Sequence, residues 1–132
     1  MTGVRPKGHR EFVQLGLDGS VSGEVQWQHA RADQGGVTEL VLADNLDPAT
    51  RTGSRTRLVR WDAGTLIALP VRHDYREEIV VLEGDLVVGC GADGRGGQAF
   101  TAYSFATRPA GVDHGPFTTR LGCLMLELDL YD

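Results

Sequence analysis

The sequence predicts an all-β fold from its glycine content, its two-residue alternation and its closely spaced turns. Glycine supplies 18 of the 132 residues, roughly twice its average share of about 7%. Each glycine inside a helix costs roughly 0.5–1 kcal/mol relative to alanine, so this excess disfavours long helices. Short strands separated by frequent turns are typical of an antiparallel sandwich or barrel. The alternation is clearest in residues 122–131, where four leucines occupy one face of a strand and the other face carries Cys123, Met125, Glu127 and Asp129.

Turn signals divide the chain into nine expected strands. The pair Asp18-Gly19 ends the first strand, and the Asp- and Pro-containing run 44–48 ends the third. Gly84 separates two later strands, and residues 89–97 hold five glycines in nine positions, which predicts a loop. The expected strands are residues 10–17, 21–30, 37–42, 56–61, 65–71, 79–83, 85–89, 98–107 and 122–131.

Charge and apolar content disfavour several classes of partner. The chain has 13 Lys+Arg against 18 Asp+Glu, a net charge of -5, and this acidic balance disfavours nucleic acid and anionic membranes. The apolar run Ile79–Leu82 is far shorter than the roughly 20 residues of a membrane helix, and the first residues lack the apolar core of a secretory signal. Cys90 and Cys123 form no Cys-x-x-Cys pair, so neither a disulfide framework nor a zinc ribbon is indicated. We therefore expect a cytoplasmic protein.

Two segments, residues 64–84 and 103–117, combine histidine, carboxylate and turn residues. In the first, His73 precedes Glu77 by four positions, and six residues separate Glu77 from Gly84. The second contains Pro109-Ala-Gly-Val-Asp-His114. These segments resemble the two motifs of the cupin superfamily, His-x-His with a following Glu and Gly, and Pro-x-Gly-x-x-His. Within that superfamily they resemble the metal-binding cupin domain of zinc anti-sigma factors and the small cupin dioxygenases.

The resemblance implies a single-domain cupin, a jelly-roll barrel also called a double-stranded β-helix, with a metal held by His73, Glu77 and His114. Val71 occupies the place of the first histidine of the family motif. Two histidines and one carboxylate are a ligand set of non-haem Fe(II) oxygenases. We therefore expect a divalent metal, Fe(II) first, with Zn, Mn or Ni as alternatives. A bulge in the strand would exchange the roles of Glu77 and Glu78.

The function that the resemblance implies is metal-dependent chemistry on a small organic molecule, of the dioxygenase type. Tyr75 and Glu77 are the expected catalytic residues. One alternative is a metal-dependent isomerase or cyclase that uses Glu77 or Tyr75 as acid or base. Another is a non-catalytic cupin that binds a small molecule in a degenerate metal site, as Val71 suggests.

The expected domain covers residues 1–132, and N-terminal strands within residues 8–45 extend the barrel or the sheet of a homodimer. We expect a small-molecule ligand and neither nucleic acid nor membrane as partner. Arg60 and Arg72 are candidate anchors for an anionic substrate, and His29 is a residue that could reach the pocket. The candidate apolar lining consists of Trp61, Tyr103, Phe105, Phe117 and Met125.

Overall fold

The computed structural model contains ten antiparallel strands, and it describes residues 5–16, 26–30 and 35–132. The described residues contain no helix, which confirms the all-β class, and hence none that could cross a membrane. The strands are β1 (Trp27–His29), β2 (Val37–Asp44), β3 (Ser54–Trp61), β4 (Leu66–Ile67), β5 (Arg76–Gly84), β6 (Leu86–Val88), β7 (Gln98–Phe100), β8 (Phe105–Arg108), β9 (Phe117–Thr118) and β10 (Cys123–Leu130).

The strands form two sheets that enclose the main core. The larger sheet has the order β1-β2-β3-β10-β5-β8, and the smaller sheet has the order β4-β9-β6-β7. Apolar side chains from both sheets exclude water between them, which is the main favourable term in folding. The buried members of this core are Val37, Val59, Trp61, Ile79, Val81, Leu86, Phe117, Cys123 and Met125.

The alternation predicted in the last strand is present, and it assigns the carboxylates to the buried face. Met125 contributes to the core between the sheets, whereas Leu124 packs with Leu40 and Leu58 in a second cluster. Because side chains alternate along a strand, Glu127 and Asp129 lie on the same face as Met125. Both are buried, with exposed fractions of 4% and 0%.

Three expected strands differ from the structure. The described part of 10–17 forms no strand, and Arg10 Nη1 instead donates a hydrogen bond to the carbonyl of Leu42 at 3.0 Å. In 65–71 only β4 is a strand, because Pro70 lacks the N–H that a continuing ladder needs. The expected strand 98–107 is two strands in different sheets, since Tyr103 has a positive φ of 70° and turns the chain between them.

The remaining differences are smaller. Strand β9 was not expected from the sequence, because its two residues are too short to show a pattern. Residues 21–25 of the expected strand 21–30 lie outside the described residues, and its described end contains β1.

Gly84 is required where β5 meets β10. Its φ is +75°, and an added Cβ would overlap the carbonyl oxygen of Gly122. We expect Gly84→Ala to lower the free energy of unfolding by about 3 kcal/mol or more, through backbone strain and the clash together. Gly64→Ala is the matched control, because Gly64 has a φ of +81° and open space around its Cβ position. Urea denaturation measures both, and equal losses in the two variants would contradict the role of the clash.

Candidate metal centre

Backbone pairing joins the two motif segments, in the connections that precede β5 and follow β8. The Val71 N–H donates to the His114 carbonyl at 2.7 Å, and the His114 N–H donates to the Val71 carbonyl at 2.9 Å. The Gly111 N–H donates to the His73 carbonyl at 2.8 Å. Residues that are about 40 positions apart in the chain are therefore neighbours, and His73 and His114 approach the first residues of β5.

The structure brings His73, Glu77 and His114 together. The Nε2 atom of His73 lies 3.6 Å from Glu77 Oε2, and His114 Nε2 lies 3.1 Å from the same oxygen. The three donor atoms all lie within 4.8 Å of one another. Two imidazoles and one carboxylate at these separations are suitable ligands for a divalent cation.

The polar atoms of this group are incompletely satisfied within the protein. Glu77 Oε2 and His114 Nδ1 are buried and have no hydrogen-bond partner, although a buried polar atom without a partner is costly. Burial, together with the charge of Glu127, raises the pKa of the Glu77 carboxyl. A cation among the three donors would stabilise the ionised carboxylate, so the residues present fit a metal.

Glu77, not Glu78, faces the histidines. Glu77 has an exposed fraction of 6%, whereas the Glu78 carboxylate lies on the opposite face and accepts a hydrogen bond from the Thr107 hydroxyl at 3.1 Å. The β-bulge between β5 and β10 lies at Leu82, which has no partner residue in β10. It therefore does not exchange the two glutamates.

A row of four charged residues crosses the buried face of the larger sheet beside these donors. Asp129 is the register partner of Arg55 on one side and of Glu77 on the other, and Glu77 is the partner of Arg108. The row therefore runs across β3, β10, β5 and β8 with the signs plus, minus, minus, plus. The opposite charges attract across β3 and β10 and across β5 and β8, whereas Asp129 and Glu77 repel each other when both are ionised.

Arginines of β3 neutralise most of the buried carboxylates. Arg55 donates to Asp129 Oδ2 at 2.7 and 3.0 Å. Arg57 donates to Glu127 Oε1 at 2.8 Å and also to Glu39. Glu77, Glu127 and Asp129 form a second group of donor atoms within 4.8 Å. Because two of its carboxylates already bind arginines, the group with the two histidines is the better metal site.

Sequence reasoning did not identify this carboxylate–arginine network. The available signal was the position of Glu127 and Asp129 on the same strand face as Cys123 and Met125. A face shared with apolar residues indicates burial, and buried carboxylates require partners. The identity of those partners depends on strand register, which the sequence does not show.

A cavity of about 280 Å³ opens in front of the donors. Tyr75 lines it and stacks on the His73 ring, with centroids 4.6 Å apart and planes at 6°. Burial and the charge of Asp129 raise the pKa of Tyr75, so the phenol stays protonated at neutral pH. Tyr75 can therefore donate a hydrogen bond to a bound molecule.

The other expected pocket residues divide into two groups. Trp61, Phe117 and Met125 line the cavity, whereas Tyr103 and Phe105 are exposed and do not. Three residues were expected to reach the pocket or to anchor a substrate, and none of them lines the cavity: His29, Arg60 and Arg72. The Arg60 guanidinium covers the Trp27 ring at 4.6 Å, and Arg72 pairs with Asp113 at 2.8 Å.

Many solved structures have a similar fold, and three of them illustrate the likeness. The RmlC-like cupin of Shewanella frigidimarina NCIMB 400 has a TM-score of 0.64 and 17% identity over 93% of this chain and 93% of that chain. The acetylacetone dioxygenase of Acinetobacter johnsonii has a TM-score of 0.63 and 20% identity over 96% of this chain and 77% of that chain. A chain of the Rhodobacter sphaeroides complex of SigE with the anti-sigma ChrR has a TM-score of 0.55 and 20% identity over 80% and 49%.

These likenesses lie in the three-dimensional structure rather than in the amino-acid sequence. No protein-family model matches the sequence, and no curated protein matches it significantly. At identities of 17–20% the solved structures establish the fold of the chain, while the chemistry has to be argued from its own residues.

Proposed function

The chain has the cupin fold. We propose that it binds a divalent metal through His73, Glu77 and His114 and acts on a small organic molecule. The observation that carries the proposal is the convergence of three donor atoms within 4.8 Å, one of them a buried carboxylate oxygen without a hydrogen bond. In this site a bound cation supplies Lewis acidity and, as Fe(II), the capacity to activate oxygen.

The reaction type we propose is dioxygenase chemistry. The acetylacetone dioxygenase with a similar fold supports it, as does a set of two histidines and one carboxylate, which leaves coordination positions free for substrate. Trp61, Phe117 and Met125 provide an apolar wall against which the carbon skeleton of a bound molecule can pack. Tyr75 orients the His73 ring by stacking and presents a neutral hydroxyl group to the cavity.

An isomerase or cyclase is the second candidate, and the state of Tyr75 favours it. A phenol with a raised pKa stays protonated, so Tyr75 is suited to donate a hydrogen bond to a substrate oxygen rather than to remove a proton. In this reaction Glu77 holds the metal, and the Tyr75 hydroxyl stabilises negative charge that develops on that oxygen. An oxygen electrode separates the candidates during turnover, because an isomerase or cyclase consumes no oxygen.

His114→Ala tests the metal site. We expect the wild type, purified without chelator, to contain close to one divalent metal per chain and the variant to contain a small fraction of that amount, because one of three ligands is missing. Elemental analysis by mass spectrometry measures the content. His29→Ala is the control, since His29 is exposed and outside the cavity. Wild-type protein that takes up no metal even after incubation with Fe(II), Zn(II), Mn(II) or Ni(II) would overturn the proposal.

A further inference from the structure

We propose that Arg108 binds a carboxylate group of the substrate, so that the small molecule is an organic acid. This inference rests on the proposed function, because it defines the substrate of the same cavity. Arg108 is the last residue of β8 and directly precedes the second motif, and we assign it the role of anion anchor.

Arg108 is held at the cavity wall. Its side chain has an exposed fraction of 15%, and its guanidinium lies over the Phe117 ring at 4.9 Å from the centroid. A cation–π contact of this kind restrains the guanidinium plane. The arginine is therefore already oriented toward the space in which a ligand would lie.

The charge of Arg108 is incompletely matched among the described residues. Arg55 and Arg57 both donate hydrogen bonds to carboxylates at 3.0 Å or less. The ion pair of Arg108 is with Glu77 Oε1, and its Nη1 atom lies 3.9 Å away, which is too long for a hydrogen bond. The other Glu77 oxygen, Oε2, is the one that approaches both histidines. A largely buried guanidinium, with N–H groups that donate to no carboxylate of the described residues, therefore lies beside the metal ligands.

A carboxylate is the group that matches this arrangement. The planar guanidinium binds a carboxylate through two parallel hydrogen bonds, and such bonds are stronger where burial lowers the local dielectric constant. Because Arg108 and the histidines approach opposite oxygens of Glu77, a ligand with its carboxylate on Arg108 would have an adjacent oxygen near the metal ligands. A 2-oxo or 2-hydroxy acid has this pattern. The cavity of about 280 Å³ is close to the lower limit of ligand pockets, about 300 Å³, which favours a small acid.

Calorimetric titration with pyruvate and with methyl pyruvate tests the assignment. The ester keeps the 2-oxo group and lacks the negative charge. We expect the wild type to bind pyruvate about tenfold or more tightly than the ester, and Arg108→Gln to lose that preference. Arg108→Lys keeps the charge without the paired geometry and should bind pyruvate with intermediate affinity. Arg95→Gln is the control, because the side chain of Arg95 is 90% exposed on the glycine-rich loop.

The outcomes separate this inference from the proposed function. The metal content and thermal unfolding midpoint of each variant are measured alongside the titration. Loss of pyruvate binding in folded, metal-containing Arg108→Gln supports the inference, and unchanged pyruvate binding in that variant overturns it. Equal binding of acid and ester by the wild type also overturns it. If the wild type holds no metal but binds pyruvate through Arg108, the metal proposal fails and the anion site stands.

Discussion

Replacing Arg57 by methionine is expected to lower the free energy of unfolding by about 3–5 kcal/mol, because it removes one partner from a buried ion pair and leaves the other charge behind. Arg57 donates to Glu127 and Glu39, and its Nε lies 3.7 Å from Asp129. All three carboxylates are buried. The loss would be a large part of the 5–15 kcal/mol by which domains are ordinarily stable. Urea denaturation followed by circular dichroism measures it.

Arg60→Met is the matched control for this variant. Arg60 lies three positions along the same strand and covers the Trp27 ring, and no carboxylate of the described residues pairs with it. Loss of a surface cation–π contact costs about 0.5–1 kcal/mol. The double variant Arg57→Met/Glu127→Leu should recover part of the Arg57→Met loss, because it removes the carboxylate that was left unpaired. A loss below about 1 kcal/mol for Arg57→Met alone would show that the network is not needed for stability.

Val71→His is expected to increase metal affinity by a factor on the order of ten or more, which a net gain of about 1.4 kcal/mol provides. Val71 lines the cavity, pairs through its backbone with His114, and lies two residues before His73. A histidine there would supply the imidazole that the cupin motif has at this position. Competition with a chromophoric chelator measures the dissociation constant for zinc.

Val71→Phe controls for size in this experiment, because it places an aromatic ring at the same position without a nitrogen donor. We expect its zinc affinity to be at or below that of the wild type. If Val71→His binds zinc no more tightly than Val71→Phe, residue 71 does not contribute to the metal site. A gain in zinc affinity would also support the hypothesis of a binding protein with a degenerate site, because a single added ligand would then restore that site.

Local features of the fold could be predicted from the sequence. The turn at Gly84 was visible because glycine and acidic residues interrupt two apolar runs. The resemblance of two segments to the cupin motifs implied both the cupin fold, which the structure confirms, and the approach of His73, Glu77 and His114. The turn and each motif segment are short-range patterns, because they depend on residues that lie close together in the chain.

Other features depend on contacts that no local pattern records. The turn at Tyr103, which divides 98–107 between two sheets, needs a left-handed backbone at a non-glycine residue, and such a conformation is sparsely populated without tertiary support. The unexpected strand β9 gains its pairing from β4 and β6. Arg108 lines the cavity whereas Arg60 and Arg72 do not, and this difference cannot be read from an arginine-rich sequence.

The sequence by itself determined the fold class, the positions of the main turns and the three residues that converge as candidate metal ligands. Only the tertiary structure decided which carboxylates and arginines share the buried face. Arg55 and Asp129 are 74 residues apart, and they meet because β3 and β10 pair in one register. A shift of that register by one residue would move every side chain to the opposite face. Alternation is a property of each strand alone, whereas register depends on the packing of the whole sheet.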